Sequence, residues 1–361
     1  MECGFVTRNQ LPPVRDDLVE LEGYHSPRVS VRVRLNVNES PFPPPSGWRD
    51  AYLAELADVP FNRYPDRRAL GLRGAIGATH GVSAEHVLAG KGSNEVLQAL
   101  CLAYGGPGRA VAVFEPTYAL HSHIARLTGT GVAIGERRPD FTLDLDEVRR
   151  VLAEARPAIT FLTTPNNPTG LVEPRELVET VIAEAPGLVV VDEAYAQFAP
   201  WSALSLLADD RPLAVTRTYS KTWSMAALRL GYVVAPPEVI AACESVILPY
   251  HLDAASQIAG RLALQWEDEM AARVETIVAE RERVTDGLRQ LPVDVWPSGA
   301  NFVLFRPHGV EGAAAWKGLV ERDVLVRDCS SWPRLGGCLR VTIGTPDEND
   351  AFLAALKEVL A

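Results

Sequence analysis

From Arg67 to Ala235 the chain alternates short apolar runs with segments of helical length. In order these are HVLAG, NEVLQALCLAY, AVAVF, the stretch from Tyr118 to Leu127, VAIG, LDEVRRVLAEA, AITFL, PRELVETVIAEA and GLVVVDE. Unbroken apolar runs of β-formers describe strands covered on both faces, and the segments between them supply the covering helices. The pattern predicts an α/β lobe built on a largely parallel sheet. Beyond the run from Leu230 to Ala235 comes a long amphipathic stretch from Ala255 to Leu291. VDVW, NFVLF and CLRVTIG follow, interleaved with GAAAWKGLVERD and PDENDAFLAALKEVL. These predict a smaller α+β lobe. The first 38 residues are proline-dotted and read as an arm lying on another element. The expected division is therefore an arm over 1–38, a large domain over 39–254 and a small domain over 255–361. A length of 361 residues suits this, since single domains usually hold about 100–200 residues.

Charge narrows the partners. Lys and Arg total 35 against 46 Asp and Glu, a net charge of −11. Such a chain is repelled by phosphate backbones and anionic lipid, so neither nucleic acid nor membrane is an expected partner. No stretch approaches the roughly 20 apolar residues of a membrane span, and the first residues carry no signal pattern, so a cytoplasmic location is expected. The five cysteines (3, 101, 243, 329 and 338) include no CxxC, which predicts neither a disulfide framework nor a metal site. Only Lys91, Lys221, Lys317 and Lys357 are lysines. Lysine chemistry has few candidates.

Ligands of open parallel sheets bind beyond the carboxyl ends of the strands, so the polar residues that follow the apolar runs are the ones to weigh. GKGSNE (Gly90 to Glu95) follows HVLA and opens a helix, whose backbone N–H groups and positive end suit an anion. It is not a Walker A loop, because Lys91 is followed by Gly, and a plain glycine turn with a Ser or Asn cap explains it equally. TTPNNPTG (Thr163 to Gly170) is a rigid turn whose asparagines offer donors, or a turn alone. In VVVDEAY, Asp192 ends a buried strand, where a carboxylate is costly unless it meets a cation or caps a helix. Tyr195 either brings a phenol to the same place or packs. In TYSK, after LAVTR, Lys221 stands among hydroxyls with Arg229 eight residues on. It is either a surface lysine or, in an apolar pocket, an amine nucleophile of lowered pKa. Taken jointly the four endings specify a ligand with a phosphate, a cationic aromatic nitrogen, a phenolic oxygen and an aldehyde. Pyridoxal 5'-phosphate has all four.

LNVNESPFPPP, RYPD, GKGSNE, EPTYALH, PNNPTG, VVVDEAY, SKTWSMAALRLGY, LPYHLDAASQ, VLVRD and CLRVTIGTPDEND together resemble the fold-type I pyridoxal-phosphate aminotransferases, and within them the histidinol-phosphate aminotransferases. The resemblance runs from about Tyr24 to the end. It implies that Lys221 joins the cofactor's aldehyde and later moves the proton of the substrate's Cα, while Asp192 pairs with the pyridine nitrogen and keeps it protonated. Asn167 and Tyr195 would bind the ring oxygen. Thr218, Ser220, Arg229 and the backbone at Ser93 and Asn94 would hold the phosphate, and Tyr118 would stack on the ring. Tyr64 would reach the phosphate of a neighbouring subunit, which implies a homodimer. Arg340 would take the carboxylate of glutamate or the substrate phosphate, with Arg327, Tyr24, Asn94 and Tyr250 nearby. The substrates implied are small molecules, an amino donor and a 2-oxo acid.

Two departures bear on the substrate. TWSMAAL places Trp223 and Met225 where relatives carry a smaller, glycine-containing stretch, which is expected to alter the pocket wall, and CSSWPRLGG sets Trp332 near the expected entrance. Transamination of L-histidinol phosphate with 2-oxoglutarate is the leading expectation. An aromatic amino acid or prephenate aminotransferase and a threonine-phosphate decarboxylase share the fold. A nucleotide-binding or regulatory module is the non-enzyme alternative, disfavoured by the joint presence of Lys221, Asp192 and Arg229 and by the lack of a basic DNA-reading segment.

Overall fold

The structure is a computed structural model that describes residues 13–19 and 29–361. Its strands are β1 (Val33–Leu35), β2 (Val87–Gly90), β3 (Ala110–Glu115), β4 (Gly131–Glu136), β5 (Ile159–Thr163), β6 (Leu188–Asp192), β7 (Leu213–Thr218), β8 (Gly231–Val234), β9 (Val293–Val295), β10 (Phe302–Pro307), β11 (Val324–Asp328) and β12 (Leu339–Thr342). Among the described residues they form two sheets. The larger has the order β2-β8-β7-β6-β5-β3-β4, parallel except for β8, which runs antiparallel to both its neighbours. This is the mostly parallel α/β architecture that the alternating runs predict.

Period-two geometry sends successive side chains of one strand to opposite faces. On β3, Val111 and Val113 meet Val96, Leu97 and Leu100 of the helix Ser93–Tyr104. Ala112 and Phe114 meet Val148, Val151 and Leu152 of the helix Leu145–Ala155 on the other side. All of β5, β6 and β7 is buried, which is why AITFL, LVVVD and LAVTRT carry no exposed alternate position. Chain order reverses beside β3, where β4 lies on one side and β5 on the other. Such reversals leave a crevice beyond the strand ends.

The second sheet has the order β1-β11-β12-β10-β9, with β1 parallel to β11 and the other pairs antiparallel. The amphipathic stretch from Ala255 is two helices, Ala254–Ala263 and Glu267–Arg289, parted by a single 3-10 turn at Leu264–Trp266. The turn is needed because the two helices serve different cores. Ala259, Leu262 and Ala263 pack with Leu72 and Tyr232 of the large-sheet side. Ile277, Val284 and Leu288 pack with Phe302, Phe305 and Phe352 against the second sheet. Among the described residues no helix is long and apolar enough to cross a membrane.

Candidate active site

The carboxyl ends of the large sheet's parallel strands open on a cavity of about 590 Å³. Val37, Asn38 and Glu39, just after β1, line one part of its wall, and Arg327, Trp332 and Arg340 of the second sheet line another. Lys221 follows β7 and points into it, with Nζ donating to the carbonyl of Val37 at 3.0 Å and lying 5.8 Å from the centre of the Tyr195 ring. Desolvation, then the positive charge of Arg340 and more weakly of Arg229, lowers the ammonium pKa from 10.5 to about 7, against the opposing pull of Glu39. A protonated amine has no lone pair, so the nucleophile appears as pH rises through 7. The rate at which the cofactor-free protein develops visible absorbance with pyridoxal 5'-phosphate is expected to rise with a midpoint near pH 7. Stopped-flow traces from pH 5.5 to 10.5 check this, and a midpoint near 10 would contradict the burial of the lysine.

Asp192 is buried at the end of β6. Its Oδ1 accepts the N–H of Ala194 at 3.1 Å, and its Oδ2 lies 2.9 Å from Nε2 of His121. His121 is itself buried, stacked on Phe161 with centroids 4.5 Å apart and ring planes 3° from parallel. Sequence reasoning gave His121 no role; Tyr118 stands just ahead of the helix Leu120–Leu127 that carries His121, and the two rings meet edge to face with centroids 5.3 Å apart. Asn38 was likewise missed, although LNVNESP contains it. Its Nδ2 donates to the hydroxyl of Tyr195 at 2.9 Å, and Thr342 Oγ1 bonds to both its backbone N–H and its Oδ1. Asn167 accepts a hydrogen bond from Nη1 of Arg340, whose Nη2 reaches the carbonyl of Asn36 at 3.2 Å.

A corner of the cavity lies at the start of the helix Ser93–Tyr104. Its N-cap is Gly92, which makes no side-chain cap and has φ +78°. The position needs glycine for its backbone, and a Cβ there would come within 2.6 Å of Nη2 of Arg229 and push that guanidinium aside. Arg229 Nη1 stands 3.4 Å from Ser220 Oγ, and the Ser220 N–H donates to Thr218 Oγ1 at 3.1 Å. Tyr118 donates to Asn94 Oδ1 at 3.3 Å. Lys91 turns away toward Asp253 and Ser256, which leaves the nucleotide-binding reading of GKGS without its lysine at the cavity.

Ser93, Asn94, Tyr118, Asn167, Asp192, Tyr195, Thr218, Ser220, Lys221, Arg229, Arg327 and Arg340 thus all line one cavity. Tyr64 and Tyr250 do not: they stack on each other, with centroids 4.4 Å apart, outside that lining. Tyr24 lies outside the described residues. Trp223 and Met225 correct the expectation of a bulkier pocket wall. The loop folds back through a bond from the Met225 N–H to the Tyr219 carbonyl, both side chains enter the core beside Trp48 and Leu72, and Ala226 and Ala227 face the cavity instead. Trp332 does line the cavity, as expected.

This donor set fits pyridoxal 5'-phosphate group by group. It offers an amine of lowered pKa for the aldehyde, a buried carboxylate for a ring cation and a phenol with an amide for the ring oxygen. A helix start with two hydroxyls and a guanidinium remains for the phosphate. Among the described residues no group of three His, Cys, Asp or Glu side chains is placed to hold a metal ion.

Comparison with known proteins agrees with the geometry. The family described as Aminotransferase class I and II matches residues 31–356. The histidinol-phosphate aminotransferase of Streptomyces avermitilis is 44% identical over 360 residues, covering 96% of each chain. That of Frankia casuarinae is 45% identical over 364 residues, covering 96% of this chain and 90% of the other. The crystal structure of histidinol-phosphate aminotransferase from Sinorhizobium meliloti in complex with pyridoxal 5'-phosphate is similar with a TM-score of 0.86 over 98% of both chains, at 22% identity, a likeness of fold. The chain belongs to the class I and II aminotransferase family, in the company of the histidinol-phosphate aminotransferases.

Proposed function

We propose that this protein is a pyridoxal-phosphate-dependent transaminase that passes the amino group of L-histidinol phosphate to 2-oxoglutarate, giving imidazole acetol phosphate and L-glutamate in histidine biosynthesis. The observation that carries the reading is one cavity in which the low-pKa amine of Lys221 shares the space with a buried Asp192 and with two arginines of the second sheet. The bound cofactor supplies an aldehyde for the amine and a protonated ring that draws electrons from the substrate's Cα. Asp192 holds the negative charge that keeps the ring nitrogen protonated, oriented by the Ala194 N–H and by His121. Asn167 and Tyr195 bind the ring oxygen, and Tyr118 covers the ring. Thr218, Ser220, Arg229 and the N–H groups of Ser93 and Asn94 hold the phosphate. Lys221, the amine in that cavity, would take the proton from Cα and return it one carbon away.

Arg340 and Arg327 hold the phosphate of one substrate and the carboxylate of the other, since a planar guanidinium serves both. Asn94, which lines the same cavity, completes that end; the substrate contacts expected of Tyr24 and Tyr250 rest on the resemblance alone, since Tyr250 stands outside this lining and Tyr24 outside the described residues. In this reading the enzyme is a cytoplasmic homodimer, divided into an arm (1–38), a large domain (39–254) and a small domain (255–361), with Tyr64 supplied across the interface. The dimer is supported by the exposure of Tyr64 (80%), Phe61 (80%) and Leu248 (76%), apolar groups that a second copy would cover.

Titration of the cofactor-loaded protein is the test. L-Histidinol phosphate is expected to bleach the visible band at a concentration at least about tenfold below that needed with L-phenylalanine, because a phosphate brings the two arginines close to two negative charges and a carboxylate only one, and below that needed with L-threonine phosphate. If phenylalanine acts at the lower concentration, the enzyme is an aromatic aminotransferase. If threonine phosphate loses carbon dioxide, it is a lyase.

A further inference from the structure

Arg327 and Arg340 are direct partners on neighbouring antiparallel strands, β11 and β12. Side chains so paired leave the same face with Cβ atoms about 4.5–5.5 Å apart, where like charges repel. Burial of Arg340, whose Nε has no hydrogen-bond partner among the described residues, sharpens the repulsion. One side chain lies against both cations. The guanidinium carbon of Arg327 stands 5.3 Å from the ring centre of Trp332, and that of Arg340 stands 5.8 Å from it.

The loop that carries this indole is tied down. Cys329 N–H bonds to the Cys338 carbonyl, Trp332 N–H to Cys329, Leu335 N–H to Trp332 and Cys338 N–H to Leu335, all at 2.9–3.1 Å. Cys329, Leu335 and Cys338 are buried against Leu304, with Trp332 packed on the same cluster. The ring is therefore held before any ligand arrives.

We propose that Trp332 is the positioning residue that holds Arg327 and Arg340 together as one two-armed receptor for a phosphate monoester or carboxylate. Its electron-rich face offsets the repulsion of the paired cations, so that Arg327 stays beside Arg340, which is itself held by Asn167, the Asn36 carbonyl and the Phe302 ring, and does not have to be drawn in from solvent when the anion binds. The inference rests on the transaminase reading and names how its substrate end is built.

The test uses the cofactor-loaded protein, whose visible band shows that the cofactor's own phosphate site is filled, titrated calorimetrically with inorganic phosphate. W332A is expected to bind phosphate about tenfold more weakly than the wild type, and W332F, which keeps a ring face, within about threefold of it. The KM values for L-histidinol phosphate and 2-oxoglutarate should rise together in W332A, with kcat within about twofold, because the arginines act on binding and not on the proton transfer. Phosphate affinity within twofold of wild type in W332A would overturn the proposal. So would a W332F as weak as W332A, since loop packing and not the ring face would then be at work. A wild-type protein that shows no visible band with cofactor would overturn the transaminase reading instead.

Discussion

Lys221→Ala removes turnover: kcat is expected to fall by about 10⁴-fold, the upper end of what one positioned acid-base group contributes, because the same amine also anchors the cofactor. The visible band of the loaded protein should vanish. Borohydride treatment followed by mass spectrometry should find the cofactor's mass on the peptide containing Lys221 in the wild type and nowhere in the variant. An active, coloured Lys221→Ala protein would remove the assignment. Folding offers a second readout. The lysine's pKa in the folded protein, about 7, is below its ordinary 10.5, so between those values the unfolded chain holds more protons and stability rises with pH. Below pH 7 the desolvated ammonium destabilises in full. The cofactor-free variant should therefore melt no lower than the wild type at pH 6, and any advantage should shrink as pH climbs from 7 toward 10.5. A merely structural surface lysine would produce neither effect.

Asp192→Asn keeps the shape and loses the charge. Removing one partner of a buried charge pair costs about 3–5 kcal/mol, which at 1.36 kcal/mol per tenfold in rate predicts a kcat lower by about 10²–10⁴-fold. The amide oxygen can still accept the Ala194 N–H, and Lys221 is untouched. The variant should therefore fold and still carry cofactor on Lys221 by the same mass measurement. Turnover within tenfold of wild type would show that Asp192 does not supply the charge that the chemistry uses.

Asp192 was legible because it closes an apolar run and Lys221 because it stands three residues beyond the end of a strand, and strand ends of a parallel sheet face the crevice whatever the loops do. The glycine start of GKGSNE and the two asparagines of PNNPTG are equally local. His121 and Asn38 were present in quoted segments but carried no local sign of function. Asn38 meets Tyr195 across 157 positions and Thr342 across 304. Nothing about either neighbourhood in the sequence marks such a pairing.

The same division runs through the whole molecule. Apolar periodicity alone determined the α/β sheet and its order of βα units, because burial on both faces and period-two geometry are properties of each segment by itself. Tertiary structure decided the rest. It put Trp223 and Met225 in the core and alanines at the cavity, because the Tyr219 carbonyl captures the Met225 N–H. It turned Lys91 toward Asp253. It lowered the pKa of Lys221 by desolvating the amine first and then by bringing the charges of Arg340 and Arg229 near it. And it placed one indole against two paired guanidiniums, a contact that depends on the register of β11 and β12 and on a ten-residue loop, 329–338, folding back between them. Segment properties are written in the local sequence; charge, burial and proximity are sums over the whole fold, and only the folded chain performs the addition.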